Sequence, residues 1–322
     1  MREIRSPARS LLASLALVVA CGEASPTSPL ALVSSSASST SAPVAWRSTT
    51  LPLLHGYPED DFEIYWSPVA MNNLGEVIGS PGCIFEPFWY TGCYFTMLYS
   101  DGATHAGPYG MYSDSFWGTD INDAGQVVGM LFFGYSNGAM WDHATMVTLG
   151  GVCNPVPTAA IYRPYAINNA SQVIGEDCSG NRWFLWQAGL STELGFRPAA
   201  LNDRGRIVGA RNGRALLWKD GSLTDMGAGE ALDINNSNQV LARIDGRFVI
   251  WEYGTTRELP AGFEPRLITD NGHIFGSRFG RATLWDRGAM IDMAIPGTVV
   301  DVNNKLQVLV SGYDRRLWNP SY

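Results

Sequence analysis

Charged residues are scarce in this sequence. Asp, Glu, Lys and Arg make up 16% of the 322 residues, and 30 acidic against 22 basic side chains give a formal net charge of -8. Binding to nucleic-acid phosphates needs clustered Lys and Arg, so this balance argues against a nucleic-acid partner. A helix that crosses a bilayer needs about 20 apolar residues, whereas the apolar stretch Leu11–Ala20 has only ten.

Sequence patterns with the spacing of metal or catalytic sites are also few. The four histidines occupy unrelated positions, and no close cysteine pair has metal-ligand spacing. Gly134–Gly138 fits the pattern Gly-x-Ser-x-Gly, but a nucleophile elbow needs a strand-to-helix turn, and sustained helical periodicity is missing. We therefore predict no metal, no cofactor and no catalytic residue.

The N-terminus has the features of an export signal. Basic residues precede Leu11–Ala20, and Val18-Val19-Ala20-Cys21 resembles a bacterial lipobox. We predict a lipoprotein signal peptide over 1–20, a lipid on Cys21, a Ser/Pro-rich tether over 21–45 and a folded domain over 46–322. Gly22 after the cysteine favours an outer-membrane or cell-surface location. The alternative is ordinary cleavage near Ala24, with Cys21 discarded.

One unit recurs from residue 70 onward. Its first half is clearest in Ala166–Gly175, and its first Asn returns at intervals of 33 or 34 residues in the second part of the chain. The copies of this position are Asn72, Asn122, Asn168, Asn202, Asn235, Thr269 and Asn303. The second half ends a strand with an aromatic residue, at Tyr99, Trp141, Trp186, Trp218, Trp251, Trp285 and Trp318.

Each unit divides into four short strands, A to D, joined by Asn-Asn-x-Gly and Asp-Gly turns that suit hairpins. The sequence therefore predicts an all-β fold, a seven-bladed β-propeller of four-stranded antiparallel blades. The last unit stops one strand short, and Trp46–Leu54 resembles a strand D without its unit. We expect this N-terminal strand to complete the last blade; an open solenoid is the alternative.

The run Asn-Asn-x-Gly-x-Val-x-Gly, followed by an aliphatic-Trp-x-x-Gly hairpin, resembles the HAF repeats of predicted extracellular bacterial proteins. The resemblance covers residues 66–319 and implies an exported protein without an assigned activity. The His-Ala-Phe triplet of that family is missing, and its His position is occupied by Arg182, Arg214, Arg247 and Arg281.

The insertions fall at one end of the blades. The A–B and C–D turns are short, whereas longer B–C and D–A segments occur at 80–95, 107–118, 130–138 and 150–163. Binding residues are commonly carried by such loops on a rigid scaffold. If Cys21 is lipidated, four cysteines remain in an oxidising compartment, and we predict the disulfides Cys83–Cys93 and Cys153–Cys178. Free thiols are the alternative.

Two groups of side chains are candidate ligand contacts at this end. The first is aromatic and could form a platform for a sugar ring or a protein, or could instead cover its own blade: Phe85, Phe88, Trp89, Tyr90, Tyr94, Tyr112 and Trp117. The second is the arginine column Arg182, Arg214, Arg247 and Arg281. It could attract an anionic polymer or pair locally within each blade.

These features favour a monomeric, lipid-anchored binding module whose partner is a polysaccharide or an envelope protein. A surface glycan lyase or hydrolase and a passive spacer are the alternatives. Among the acids at the insertion end, Asp114, Glu176 and Asp177 are the ones an enzyme could use.

Overall fold

The computed structural model describes residues 45–55, 63–64, 66–81, 96–107, 115–133, 135–143, 145–152, 159–310 and 315–322. These residues belong to one compact unit, Ser41–Tyr322. They form strands and turns, and within these ranges no helix is present that could traverse a lipid bilayer. The predicted all-β class is therefore confirmed. The lipidation site Cys21, the tether and most of the insertions lie outside the described residues.

The repeat units, numbered 1 to 7 along the chain, are antiparallel four-stranded arrangements in A–B–C–D order. Before them come β1 (Ala45–Thr50), β2 (Leu54–His55) and β3 (Glu63–Ile64). Unit 1 consists of β4 (Trp66–Met71), β5 (Val77–Pro81), β6 (Met97–Ser100) and β7 (Ala103–Ala106). Unit 2 consists of β8 (Ser115–Ile121), β9 (Val127–Phe133), β10 (Tyr135–Asp142) and β11 (Thr145–Val152). Unit 3 consists of β12 (Arg163–Ile167), β13 (Val173–Glu176), β14 (Trp183–Gln187) and β15 (Leu190–Glu193).

Units 4 and 5 share one seven-stranded sheet, because β19 is both the last strand of one and the first of the next. The strands of this sheet are β16 (Arg197–Leu201), β17 (Ile207–Arg211), β18 (Arg214–Lys219), β19 (Ser222–Ile234), β20 (Val240–Ile244), β21 (Arg247–Glu252) and β22 (Thr255–Glu258). Ala228 of β19 still pairs with Arg214 in unit 4, and the adjoining Gly229 pairs with Ile244 in unit 5.

Unit 6 consists of β23 (Glu264–Ile268), β24 (Ile274–Arg278), β25 (Arg281–Asp286) and β26 (Ala289–Pro296). Unit 7 supplies β27 (Val299–Val302), β28 (Val308–Val310) and β29 (Arg316–Ser321). The fourth strand of its sheet is β1, which pairs antiparallel with β29 in a register that places Thr49 opposite Leu317.

The hydrophobic core lies between consecutive units. Seven clusters of buried side chains are found among the described residues, and each draws on two units that follow one another, with units 7 and 1 forming one such pair. Each cluster also contains one member of the predicted aromatic column, as Trp186 does between units 2 and 3. The column is therefore core, and each sheet buries its faces against its neighbours.

In units 1, 3, 4 and 6 a proline of strand A pairs with a glycine of strand B. Pro164 pairs with Gly175 and Pro198 with Gly209, each beside a bulge in strand A. A Cβ atom at Gly209 would lie 2.0 Å from the carbonyl oxygen of Arg197, so a larger residue does not fit there without a backbone shift. The bulge thus explains the glycine of the Gln-Val-Val-Gly motif.

One predicted insertion has a different form in the structure. The segment 130–138 was expected to be a B–C loop, but β9 continues to Phe133 and β10 begins at Tyr135. Gly138 pairs with Met130, and Asn137 with Leu131. The segment is therefore a lengthened hairpin, in which Met130 to Phe133 pair with residues 135–138 of the following strand.

Candidate functional site

The two ends of the units differ in how their polar side chains are used. We call the end with the A–B and C–D turns the turn end, and the opposite one the insertion end. At the turn end a cavity of about 230 Å³ is lined mainly by the Asn/Asp pairs of the A–B turns. At the insertion end a recess of about 310 Å³ lies on strands of units 3, 4 and 5.

The first Asn of each pair closes its own turn and reaches the next unit. Asn168 Oδ1 accepts from the backbone N–H groups of Ala170 and Gln172, and Asn168 Nδ2 donates to the carbonyl of Asn202 at 2.8 Å. The same inter-unit bond starts from Asn72, Asn122, Asn202, Asn235 and Asn303. Unit 6 has Thr269 at this place, which has no amide to donate.

The second residue of each pair forms a ring in which Asn and Asp alternate. In chain order the members are Asn73, Asp123, Asn169, Asp203, Asn236, Asp270 and Asn304. The backbone N–H of each donates to the side-chain Oδ1 of the next at 2.7–2.9 Å, and that of Asn304 donates to Asn73. We call this the Asn/Asp ring.

Each aspartate of the Asn/Asp ring also accepts from the amides on its two sides. Asp203 Oδ2 accepts from Asn236 Nδ2 at 2.8 Å and from Asn169 Nδ2 at 3.2 Å. Asp123 and Asp270 are bonded in the same way. Because these carboxylates are already satisfied by neighbouring units, we interpret the turn end as structural.

Three further aspartates occupy the next-to-last position of strand A. Asp120, Asp233 and Asp301 each accept from the backbone N–H of the following residue and from one in the next unit's strand A. Their inter-unit bonds to Ile167, Ile268 and Met71 measure 2.7–2.8 Å. Units 1, 3 and 4 have Ala at this position, and unit 6 has Leu267.

Burial shifts these three carboxyls far from their ordinary behaviour. The residues keep some solvent-accessible surface, but neighbouring strands enclose the carboxyl groups. This enclosure raises the pKa of Asp120 and of Asp233 to about 7 and that of Asp301 to about 6, although the backbone N–H groups lower it. The charge of Asp301 raises the pKa of the other two further.

The recess at the insertion end combines charged and small residues. Arg197 and Glu230 are exposed on it, Tyr165 forms part of its wall, and small residues such as Ala199 and Ala210 leave it open. The Tyr165 hydroxyl donates to Glu176, which also accepts from Arg163 at 2.9 Å. Burial and this bond raise the pKa of Tyr165.

The predicted arginine column pairs within its own hairpins. Arg214 Nε lies 2.8 Å from Asp225, Arg247 Nη1 lies 2.8 Å from Glu258, and Arg182 donates to Glu193. Arg281 Nε lies 3.4 Å from Asp292. This is the local pairing that the sequence left open as the alternative. A role of these arginines in ligand binding stays a prediction.

Six of the seven predicted aromatic ligand contacts belong to segments outside the described residues. Phe85, Phe88, Trp89, Tyr90, Tyr94 and Tyr112 lie outside the described residues. Trp117 is 40% exposed at the start of β8 and meets the ring of Phe132 edge to face, with centroids 5.8 Å apart. It lies at the insertion end in contact with a second aromatic side chain, and its role in ligand binding stays a prediction.

The cysteines can be placed in part. Cys178 is bonded in a disulfide and follows Asp177, a buried residue whose carboxylate caps the turn at Ser179. Cys83, Cys93 and Cys153 lie outside the described residues, so the pairings Cys83–Cys93 and Cys153–Cys178 stay predictions. Glu176 is tied to Arg163 and Tyr165.

No group of three or more His, Cys, Asp or Glu side chains suited to a metal is formed within the described ranges. Ser136, of the Gly-x-Ser-x-Gly match, lies inside β10 and pairs with Phe132. It is thus on a hairpin strand rather than at a strand-to-helix turn.

The most informative residues of the site were missed at the sequence level. Two of these signals are visible when the units are aligned. Asn and Asp alternate in the A–B turns, and Asp120, Asp233 and Asp301 share one position of strand A. The recess has no such signal, because it arises from small residues in unit 4 beside larger ones in units 3 and 5.

No family model and no curated protein matches the chain. Solved structures are similar in fold. A streptogramin B lyase structure covers 88% of this chain and 100% of its own at 10% identity and a TM-score of 0.56. YCF48 bound to D1 peptide covers 86% and 97% at 10% identity and a TM-score of 0.54. The β-propeller domain of the Trilobed protease from Pyrococcus furiosus covers 79% and 94% at 11% identity and a TM-score of 0.54. At these identities the likeness shows a β-propeller fold and nothing more specific.

Replacing Asp203 by Asn tests the Asn/Asp ring. The new amide would place a donor against the donors of Asn169 and Asn236, so we expect a loss of about 1–3 kcal/mol in the free energy of unfolding. Urea denaturation of the full chain measures this. Asp220→Asn, in an exposed turn with φ 48°, is the control and should change stability by less than about 0.5 kcal/mol. Equal stability of the two variants would contradict the structural role of the ring.

The raised pKa values predict an unusual pH dependence. Between pH 8 and 6.5 the folded chain takes up protons at Asp120 and Asp233, whereas unfolded aspartates titrate near 3.8. The free energy of unfolding should therefore rise as the pH falls through this window, by roughly 1 kcal/mol for a carboxyl with a pKa near 7. His273 opposes part of this trend, increasingly as the pH approaches 6.5 and below, because burial lowers its pKa and its unfolded form gains a proton first.

The measurement is urea denaturation of the parent and of Asp233→Ala at pH 8 and 6.5. The variant lacks the buried carboxyl, so its free energy of unfolding should differ less between the two pH values than that of the parent. A parent chain that is more stable at pH 8 than at 6.5, or a variant with an unchanged difference, would show that these carboxyls do not take up protons as described.

Proposed function

We propose that the seven repeat units are blades of one closed propeller, with Ala45–Thr50 as the outer strand of the last blade. The pairing of β1 with β29 supports this, as does the bond from Asn303 Nδ2 to the carbonyl of Asn72 at 3.1 Å. A hydrophobic cluster that includes Leu51, Trp66 and Leu317 joins units 7 and 1. Closure would leave no blade with an uncovered apolar face.

We further propose that the protein is exported and held at the outer membrane or cell surface by a lipid on Cys21. The lipobox-like Val18–Cys21 and the Ser/Pro-rich tether support this placement. Several acyl chains on one cysteine anchor a protein firmly, whereas a single chain binds only marginally.

Changing Cys21 to Ala tests the anchor. The variant should leave the membrane fraction and appear in the soluble fraction, because the acylated thiol is gone. Immunoblots of fractionated cells measure the distribution. Gly22→Ser keeps the cysteine and should remain with the membranes; a Cys21→Ala chain that also remains there would refute lipid anchoring at this residue.

The proposed activity is binding rather than turnover, with an envelope polysaccharide as the partner and an envelope protein as the alternative partner. The observation that carries it is the contrast between the two ends. The ring carboxylates of the turn end are bonded to neighbouring units, whereas the insertion end presents the recess of units 3 to 5 and exposed side chains such as Phe279. A rigid scaffold with free groups at one end suits a binding module.

Phe279 is a sharp probe of this proposal. It is 87% exposed in the B–C turn of unit 6 at φ 52°, a left-handed conformation that Asn212 and Asp245 adopt in units 4 and 5. A bulky aromatic is costly there, and strain of this kind often marks a functional residue. Arg278 lies over its ring, 5.0 Å from the centroid.

We expect Phe279→Asn to weaken binding on a glycan array by roughly tenfold, as loss of an aromatic anchor does, without a loss of stability. Tyr253→Asn is the matched control, because Tyr253 is 72% exposed at φ 48° in a turn at the opposite end. Equal effects of the two variants, or release of a shortened glycan by the parent chain, would contradict a binding module that acts through the insertion end.

A further inference from the structure

Arg197 differs from Arg163, the other arginine at the start of a strand A. In unit 3, Arg163 lies opposite Glu176 and forms an ion pair with it at 2.9 Å. In unit 4 the corresponding register places Arg197 opposite Ala210. Across the described part of the chain, the Arg197 guanidinium has no acidic partner and no hydrogen bond. An exposed guanidinium without a partner is ready to bind an oxyanion.

The space beside Arg197 is the recess of about 310 Å³. It exists because Ala199, Gly209 and Ala210 are small, while Tyr165 from unit 3 and Leu232 from unit 5 form its sides. The Tyr165 side chain is held by its hydrogen bond to Glu176. The volume is at the lower limit of small-molecule sites, so the recess suits a single ring-sized group rather than an extended ligand.

Glu230 gives the recess a second charge of opposite sign. It is exposed at the start of the unit 5 half of β19 and lies opposite Arg243 in register, yet the two side chains form no ion pair. A free carboxylate accepts hydrogen bonds, and its two oxygens can accept from two neighbouring hydroxyls of one ligand. The recess thus presents a guanidinium donor and a carboxylate acceptor to one ring-sized space.

We propose that this recess binds one uronic acid residue of an acidic polysaccharide, with the sugar carboxylate at Arg197 and ring hydroxyls donating to Glu230. The inference rests on the proposed binding function and names its substrate class. A uronate carries one negative charge on one side of its ring and hydroxyl donors elsewhere, which matches the two charged groups. A phosphate group, which has acceptors on all sides and more charge, would be repelled by Glu230.

The first test is calorimetric titration of the full chain, purified in detergent. The titrants are three acidic trisaccharides: one of galacturonate, one that contains glucuronate and one that contains guluronate. The fully methyl-esterified trimers have the same hydroxyls without the charge. At least one acid trimer should bind, and its ester should bind more weakly by a factor of at least about ten. Arg197→Gln should reduce binding of the acid by a similar factor. Arg204→Gln, at an exposed arginine in the A–B turn of the same unit, should change it less than about twofold.

The second test uses the ion pair of unit 3 as its design. Ala210→Glu places a carboxylate where Glu176 stands opposite Arg163, so the fold has already accepted this pair one unit earlier. The variant should keep its unfolding midpoint and lose binding of the acid trimer as Arg197→Gln does. Because the arginine remains, this loss would come from its neutralisation and from the occupied space.

The outcomes separate the two proposals. Acid trimers that bind equally to the parent and to Arg197→Gln, or esters that bind as well as acids, would overturn the uronate site. Binding only of neutral glycans, weakened by Phe279→Asn, would overturn it as well and leave the propeller's binding function standing. Binding only of peptides through a free carboxyl terminus, or of no glycan, would remove both the uronate site and a polysaccharide as the partner.

Discussion

The structure depends on the contact between one repeat unit and the next. A four-stranded sheet of this size has two apolar faces and cannot bury them alone, so every unit places its Trp or Tyr in a cluster shared with its neighbour. The Asn amide that crosses to the neighbour's carbonyl fixes the spacing at the turn end. Burial supplies the driving force, and these directional bonds set the geometry, because a polar group left unpaired in such a contact is destabilising.

The sequence predicted what every unit repeats. The all-β class, the four-stranded units and the aromatic core column follow from residues whose role is local, such as the Asn that closes its own turn. It did not predict the hairpin at 130–138, since strand extension there depends on pairing between two particular segments. It also missed Arg197, because the significance of that residue comes from Ala210 across the sheet and from Tyr165 and Glu230 in other units.

The chemistry of the two ends differs because the repeat is constrained differently at each. At the turn end the spacing between units is nearly constant, so side chains of neighbouring units meet in register and satisfy each other. At the insertion end, one equivalent position near the start of strand A is occupied in units 3 to 6 by Arg163, Arg197, Glu230 and Glu264. Variation at a position of fixed geometry is how a repeat scaffold acquires a particular ligand without a change of fold.

The Asn/Asp ring has a consequence for how such a chain can change in length. Strict alternation of two residue types closes without a fault only around an even number of positions, and this ring has seven. Two like residues must therefore meet once, and they are Asn304 and Asn73, the neutral type. Removing an asparagine-bearing unit from the middle would instead bring two carboxylates together. Loss of units from the alternating part should thus be tolerated best in adjacent pairs, whereas loss of the one unit that carries Asn73 or Asn304 would restore strict alternation around six positions.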